Sequence, residues 1–189
     1  TNIRYDHDKK QLPDLIFDLD SKDTVMLLAN GGGKTLLIQL ILQVVLPNTK
    51  MGDRKISELL RSNKYTGHIA VEWLLDNEGD YEEYLCTGFC FTNGYNDRPV
   101  KYFNYLFGYE PGADLTIENL PLIKDDRPIS YQKFRDWIND NKSSRLEIFD
   151  RIKTYQQRLD SYLIYPEEWK NIRNINGSEG GVDDFFKES

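Results

Sequence analysis

A strand-length apolar run, Thr24 to Ala29, leads directly into Asn30-Gly31-Gly32-Gly33-Lys34-Thr35, and then into a stretch of helix formers from Lys34 to Leu46. Few chain paths accept that succession. A continuous apolar run of this length suits a strand buried on both faces. The helical stretch carries almost no charge, so it is expected to be buried nearly all round, with Pro47 stopping it. Between them, consecutive glycines allow positive φ and let backbone amides approach an anion. The helix that follows points its positive end at the same place. Strand, glycine loop, Lys-Thr and helix together form the pattern of a phosphate-binding loop.

Each residue type has a physical task in such a loop. Asn30, Gly31, Gly32 and Gly33 supply the cradle, and Lys34 is expected to neutralise the β and γ phosphates. The Thr35 hydroxyl is the expected ligand of Mg²⁺, and Leu36 continues the first helical turn. The expected ligand is a nucleoside triphosphate, with ATP foremost. One position departs from the pattern G-x-x-x-x-G-K-[ST]: its first glycine falls on Leu28. That departure motivates a competing reading, a glycine turn followed by an ordinary lysine in a scaffold that binds nothing.

Hydrolysis needs more than a cradle. A second acidic residue at the end of an apolar strand holds the metal, and another group positions the attacking water. The nearest candidates are Asp76, after Ile69 to Leu75, and Asp18, after Leu15-Ile16-Phe17. Neither fits well: Glu72 interrupts the first run, Asp76 opens a turn, and Asp18 precedes the loop. The two histidines, His7 and His68, form no nucleophile set with a serine or cysteine. His68 opens a strand and reads as structural. Catalytic residues are therefore not assigned.

The remaining chain is read from its patterning. Leu12 to Asp18 reads as a short strand and Lys55 to Arg61 as a short helix. Thr66 to Leu75, Tyr84 to Thr92 and Val100 to Tyr109 read as three strands separated by Asp-Asn-Glu-Gly and Asn-Gly-Tyr-Asn turns, an antiparallel meander. The last third reads as helical. Ser130 caps a helix to Asn139, a longer helix runs from Ser144 to Leu163 with Ser143 or Ser144 as cap and Glu147 completing a capping box, and Pro166 opens a helix to Ile172. Gly177 to Gly181 reads as a flexible break before Val182 to Lys187.

The balance of charge limits the partners. The net charge of -7 offers no basic face for a free-standing nucleic-acid binder, unless Arg54, Lys55, Arg61 and Lys64 form a local one. Cys86 and Cys90 lie within one strand-like run and share its face. They read as buried thiols in a reducing compartment rather than as half of a zinc site. The longest apolar stretch, Leu36 to Leu46, is too short to span a bilayer, and no membrane association is expected. A cytoplasmic location follows from these readings.

The run Met26 to Leu37, with Val45-Leu46-Pro47-Asn48 after it, resembles the N-terminal lobe of an SMC-like ATPase head of the MukB and Wadjet kind, within the ABC class. Such heads commonly carry Pro-Asn-Gly-x-Gly-Lys-[Ser/Thr]. Asn30, Gly31, Gly33, Lys34 and Thr35 match it, and Ala29 replaces the proline. The strong match covers roughly residues 12 to 92. The fold implied is α/β, a P-loop NTPase N-terminal lobe with an antiparallel meander and a helical C-terminal third. The lobe would occupy 1–125, and a helical segment leading towards a coiled coil would occupy 126–189. The resemblance also implies a fragment. A C-terminal head lobe would supply the signature motif and the Asp-Glu pair, and a second head, in a homodimer, would complete the site. DNA would be met through the assembled complex, in chromosome segregation, repair or plasmid defence. ATP hydrolysis is expected only in that completed state. Family members place an aromatic residue against adenine ahead of the loop, where Tyr5 and His7 stand, and a glutamine loop near the lobe's exit, where Asn176, Glu179, Gln156 and Gln157 are the options. The alternative function is a complete small P-loop kinase or NTPase using Asp76 as metal partner.

Overall fold

The computed structural model describes residues 34–50, 66–75, 83–93, 99–125, 127–141 and 146–177, with backbone alone at 34–36 and 172–177. Its centre is a four-stranded antiparallel sheet in the order β1-β2-β3-β6, formed by β1 (Thr66–Leu75), β2 (Glu83–Thr92), β3 (Lys101–Tyr109) and β6 (Leu146–Phe149). The short hairpin β4 (Ile123–Lys124) and β5 (Arg127–Pro128) stands apart from it. The fold is mixed α/β, and the meander expected from the sequence is present with boundaries within a residue of those expected.

Alternation along the strands sends side chains to two apolar faces. Ile69, Leu85, Phe89, Phe91 and Leu106 build the first face. Ala70, Cys86, Cys90, Phe103, Tyr105 and Phe107 build the second. The registers Ile69↔Phe89 and Cys86↔Phe107 keep each set together. Two glycines make room for cross-strand rings: Gly67 lies opposite Phe91 and Gly88 opposite Tyr105. A Cβ at Gly88 would stand 1.9 Å from the Tyr105 ring.

Helices cover both faces. On the first lie α1 (Lys34–Leu42), α3 (Ile152–Asp160) and, through Trp169 against Trp73, α4 (Pro166–Gly177). On the second lies α2 (Tyr131–Asp140), which buries Phe134 and Ile138. Its N-cap is Ser130, whose side chain accepts from the Lys133 amide, as its sequence position suggests. Glu167 and Glu168 in the first turn of α4 suit its positive end, and the helix runs on to Gly177, beyond the expected end at Ile172.

Two expectations are corrected. The chain from Ser144 to Leu163 is not one helix. Leu146–Phe149 pairs with Asn104–Phe107 as β6, and α3 begins only at Ile152. Leu-Glu-Ile-Phe alternates Leu146 and Ile148 against Phe149, so both faces of the sheet gain apolar cover while the edge of β3 gains partners. Glu147 therefore caps nothing and instead meets Arg158 at 2.8 Å. The last third thus contributes a strand as well as helices. The first helix also ends early, at Leu42 rather than Leu46. Val44 and Val45 tighten the chain into i→i−3 bonds, and Pro47 keeps Leu46 from continuing the helix.

The exit of α3 is a Schellman turn. The Ile164 amide bonds the Leu159 carbonyl, the Leu163 amide bonds that of Asp160, and Leu163 sits at φ 61 where glycine is usual. Ile164 and Leu159 are both buried, the apolar contact that accompanies this motif.

Candidate functional site

Asn30, Gly31, Gly32 and Gly33 lie outside the described residues. The helix that follows them is described from Lys34 onward. Lys34, Thr35 and Leu36 form its first described turn, as backbone alone. The first amides of a helix have no carbonyl one turn back to bond, so they are available to an anion.

Apolar packing fixes the body of α1. Leu37 and Leu40, with Val44, Val45 and Leu46 beyond the helix, pack into the cluster formed by Ile69, Leu85, Phe89 and Phe91. Gln39 and Gln43 are buried with them. The Gln43 amide donates to the Thr49 carbonyl at 2.9 Å, which ties the helix exit to the loop after it.

A buried polar group sits beside that exit. The Tyr155 hydroxyl, on α3, donates to the Val44 carbonyl at 2.5 Å. The next residue, Gln156, reaches the Val45 carbonyl at 3.4 Å. Thr87 and Asn104 are the polar residues of the sheet face beneath, and both are buried. Thr87 Oγ1 accepts from Trp73 Nε1 at 2.8 Å, and Asn104 Nδ2 donates to the Gly88 carbonyl at 3.2 Å. Burial pushes the Tyr155 phenol well up and Cys86 adds to it, while hydrogen bonds from Thr87 and Asn104 pull the other way. The hydroxyl therefore keeps its proton and remains a donor.

The second face holds His68. Its Nε2 stands 2.8 Å from the Ile129 carbonyl, so this nitrogen carries the proton and Nδ1 is the bare one. Nδ1 is buried, with no hydrogen-bond partner among the described residues. Burial lowers the ring's pKa to about 4, against a smaller raising effect from the Ile129 bond. Phe134 meets the ring edge-on at 5.0 Å. His68 is thus a neutral core histidine that ties β1 to the segment before α2, as its structural reading implies. The neighbouring Thr66 hydroxyl accepts from the Tyr131 amide at 2.9 Å and ties the same segment.

Cys86 and Cys90 share the second face as free, buried thiols, and burial raises both well above the ordinary thiol range. Of the other candidates, Tyr5, His7, Asp18, Asp76 and Glu179 lie outside the described residues, as do Arg54, Lys55, Arg61 and Lys64. Asn176 lies in the last turn of α4. Gln157 is exposed on α3, whereas Gln156 is half-buried and turned towards the exit of α1. Among the described residues, no group of three or more His, Cys, Asp or Glu side chains could hold a metal ion, and no helix is long and apolar enough to cross a membrane.

Sequence reasoning missed the Tyr155, Thr87 and Asn104 group. Its signal was present in part: Thr87 and Asn104 interrupt otherwise apolar and aromatic strand runs at positions that face the core. Tyr155 falls in the middle of the over-long helix that the sequence suggests, which hides its role. Comparison with protein-family models, with curated proteins and with solved structures finds no match.

Proposed function

We propose that this chain binds Mg²⁺·ATP at Asn30 to Leu36 as the N-terminal lobe of an SMC-like ATPase head. The observation that carries the reading is that Lys34 and Thr35 stand in α1, a helix that follows the glycine triplet in the sequence. A phosphate loop needs its lysine and hydroxyl residue in the first turn of a helix whose free amides face the anion. The apolar socket around α1 supports the reading too, because a phosphate cradle needs a helix that does not shift under load.

In this reading Thr35 ligates Mg²⁺ and Lys34 neutralises the terminal phosphates. The partners are the protein's own C-terminal head lobe and a second head, and DNA is met by the full complex in chromosome maintenance, repair or plasmid defence. Hydrolysis belongs to the completed assembly. The antiparallel meander after α1 counts against a small kinase, in which further parallel βα units would follow.

Calorimetry with Mg²⁺·ATP tests the binding claim. The wild-type chain gives a saturable heat and Lys34→Ala loses it; equal heats from the two would remove the claim. Steady-state turnover tests the half-site claim. Hydrolysis by the 189-residue chain alone at common enzyme rates, on the order of 1 per second or faster, would refute it.

A further inference from the structure

The polar contacts at the exit of α1 have a consequence at its other end. Dispersion and apolar burial hold a helix in its socket, but neither is directional, so they define its position along its own axis less sharply than hydrogen bonds do. Hydrogen bonds are directional, with strength that falls steeply away from good alignment. The exit of α1 receives two from α3: Tyr155 to the Val44 carbonyl and Gln156 to the Val45 carbonyl. From Lys34 to Leu42 is roughly 12 Å at 1.5 Å per residue. A nine-residue helix of that length moves as one body, so whatever fixes its exit fixes its first turn.

We infer that Tyr155 is a positioning residue for the phosphate-binding end of α1, acting through the Val44 carbonyl that its buried hydroxyl holds. The inference rests on the reading of Asn30 to Leu36 as a phosphate loop. Three features single out Tyr155. It is fully buried, its ring is packed against Phe149 at 5.4 Å, and the sheet beneath presents Thr87 and Asn104, two buried polar side chains, to that same region. The ring is thus seated against the sheet through Phe149 while its hydroxyl holds α1. Loss of the hydroxyl leaves the Val44 carbonyl without this donor and lets the helix sample other axial positions. Only the fraction of molecules with α1 correctly seated then binds phosphate at full strength, and the apparent Kd rises by the inverse of that fraction.

The test compares wild type, Tyr155→Phe, Gln156→Ala and Lys34→Ala in thermal unfolding and in titration with Mg²⁺·ATP. The expected result is that Tyr155→Phe folds with a lowered Tm and a Kd for Mg²⁺·ATP raised about fivefold or more. A hydroxyl with a merely structural role would lower Tm and leave the Kd of the folded protein within about twofold, and that result overturns the inference. Should Tyr155→Phe fail to fold, Gln156→Ala decides, because that side chain is half-buried and holds the adjacent carbonyl. A Kd raised about twofold or more supports the inference, and an unchanged Kd overturns it. Equal heats from wild type and Lys34→Ala would instead defeat the phosphate-loop reading itself, and the positioning role with it.

Discussion

His68 makes the stability of this chain depend on pH in a way that a single substitution can isolate. The ring is fully buried, its Nε2–H is spent on the Ile129 carbonyl, and its bare Nδ1 has no hydrogen-bond partner among the described residues. Protonation would place a charged N–H at Nδ1 with nothing to receive it, which is why the folded-state pKa falls from 6.5 to about 4. The depressed value means that the unfolded chain takes up a proton before the folded one. Stability is therefore at its fullest above pH 6.5 and is lost as pH falls from there towards 4. With those two values, the linkage costs about 0.2 kcal/mol at pH 7 and about 2 kcal/mol at pH 5, a difference of roughly 1.8 kcal/mol. His68→Gln keeps an amide donor and cannot ionise. Urea unfolding of both proteins at pH 7 and pH 5 removes the carboxylate background that they share. At a slope of about 2 kcal/mol per molar urea, the wild-type midpoint should fall by about 1 M more than that of the variant. Equal midpoint shifts for the two proteins would refute the assignment of a neutral, depressed His68.

Two further substitutions test the packing. Gly88→Ala drives a methyl into the Tyr105 ring, which cannot retreat because Phe134 packs against it at 5.2 Å; a loss of about 3 kcal/mol and a Tm lower by about 9 °C are expected, and a loss under about 1 kcal/mol would show that the ring can move. Ser130→Ala removes the acceptor for the Lys133 amide, and because that bond is long, at 3.4 Å, urea unfolding should show a loss near about 0.5 kcal/mol, the low end for N-caps.

Much of the sheet was legible in the sequence because its cues are local. Thr66 to Leu75 is a mostly apolar, strand-length run that meets the Asp-Asn-Glu-Gly turn residues, and the observed β1 has those bounds. Ser130 reads as a cap from its own chemistry and position, and it is one. Of the two failures, one is decided by a distant partner and one by local chemistry. Ser144 and Glu147 satisfy a capping-box spacing, and the residues after them are good helix formers, but the open edge of β3 offers Leu146–Phe149 a ladder that outweighs those preferences. Val44 to Leu46 would prolong an apolar helix by composition alone, yet β-branching at 44 and 45 and Pro47 behind them favour a tight exit. Of the candidate site, the motif is legible in Asn30 to Thr35. Its support from α3 is not, since it joins residues more than a hundred positions apart.

The same face of the sheet carries a feature that composition alone makes costly. Thr87 and Asn104 are buried on the face of the sheet that packs against helices, where valine or leucine would bury more apolar area and leave no polar atom to satisfy. Polar groups in such a place penalise every arrangement that leaves them unpaired, by about 1–3 kcal/mol each. In the observed arrangement Trp73 donates to Thr87, Asn104 bonds the Gly88 carbonyl, and Tyr155 stands over both while it holds the exit of α1. Sliding α3 by one turn would keep apolar contact with the sheet but would move the Tyr155 hydroxyl by about 5.4 Å, out of reach of the Val44 carbonyl. An apolar side chain at 155 would be indifferent to that slip. The Tyr155 hydroxyl thus favours a single seating of α3, and through Val44 a single seating of α1.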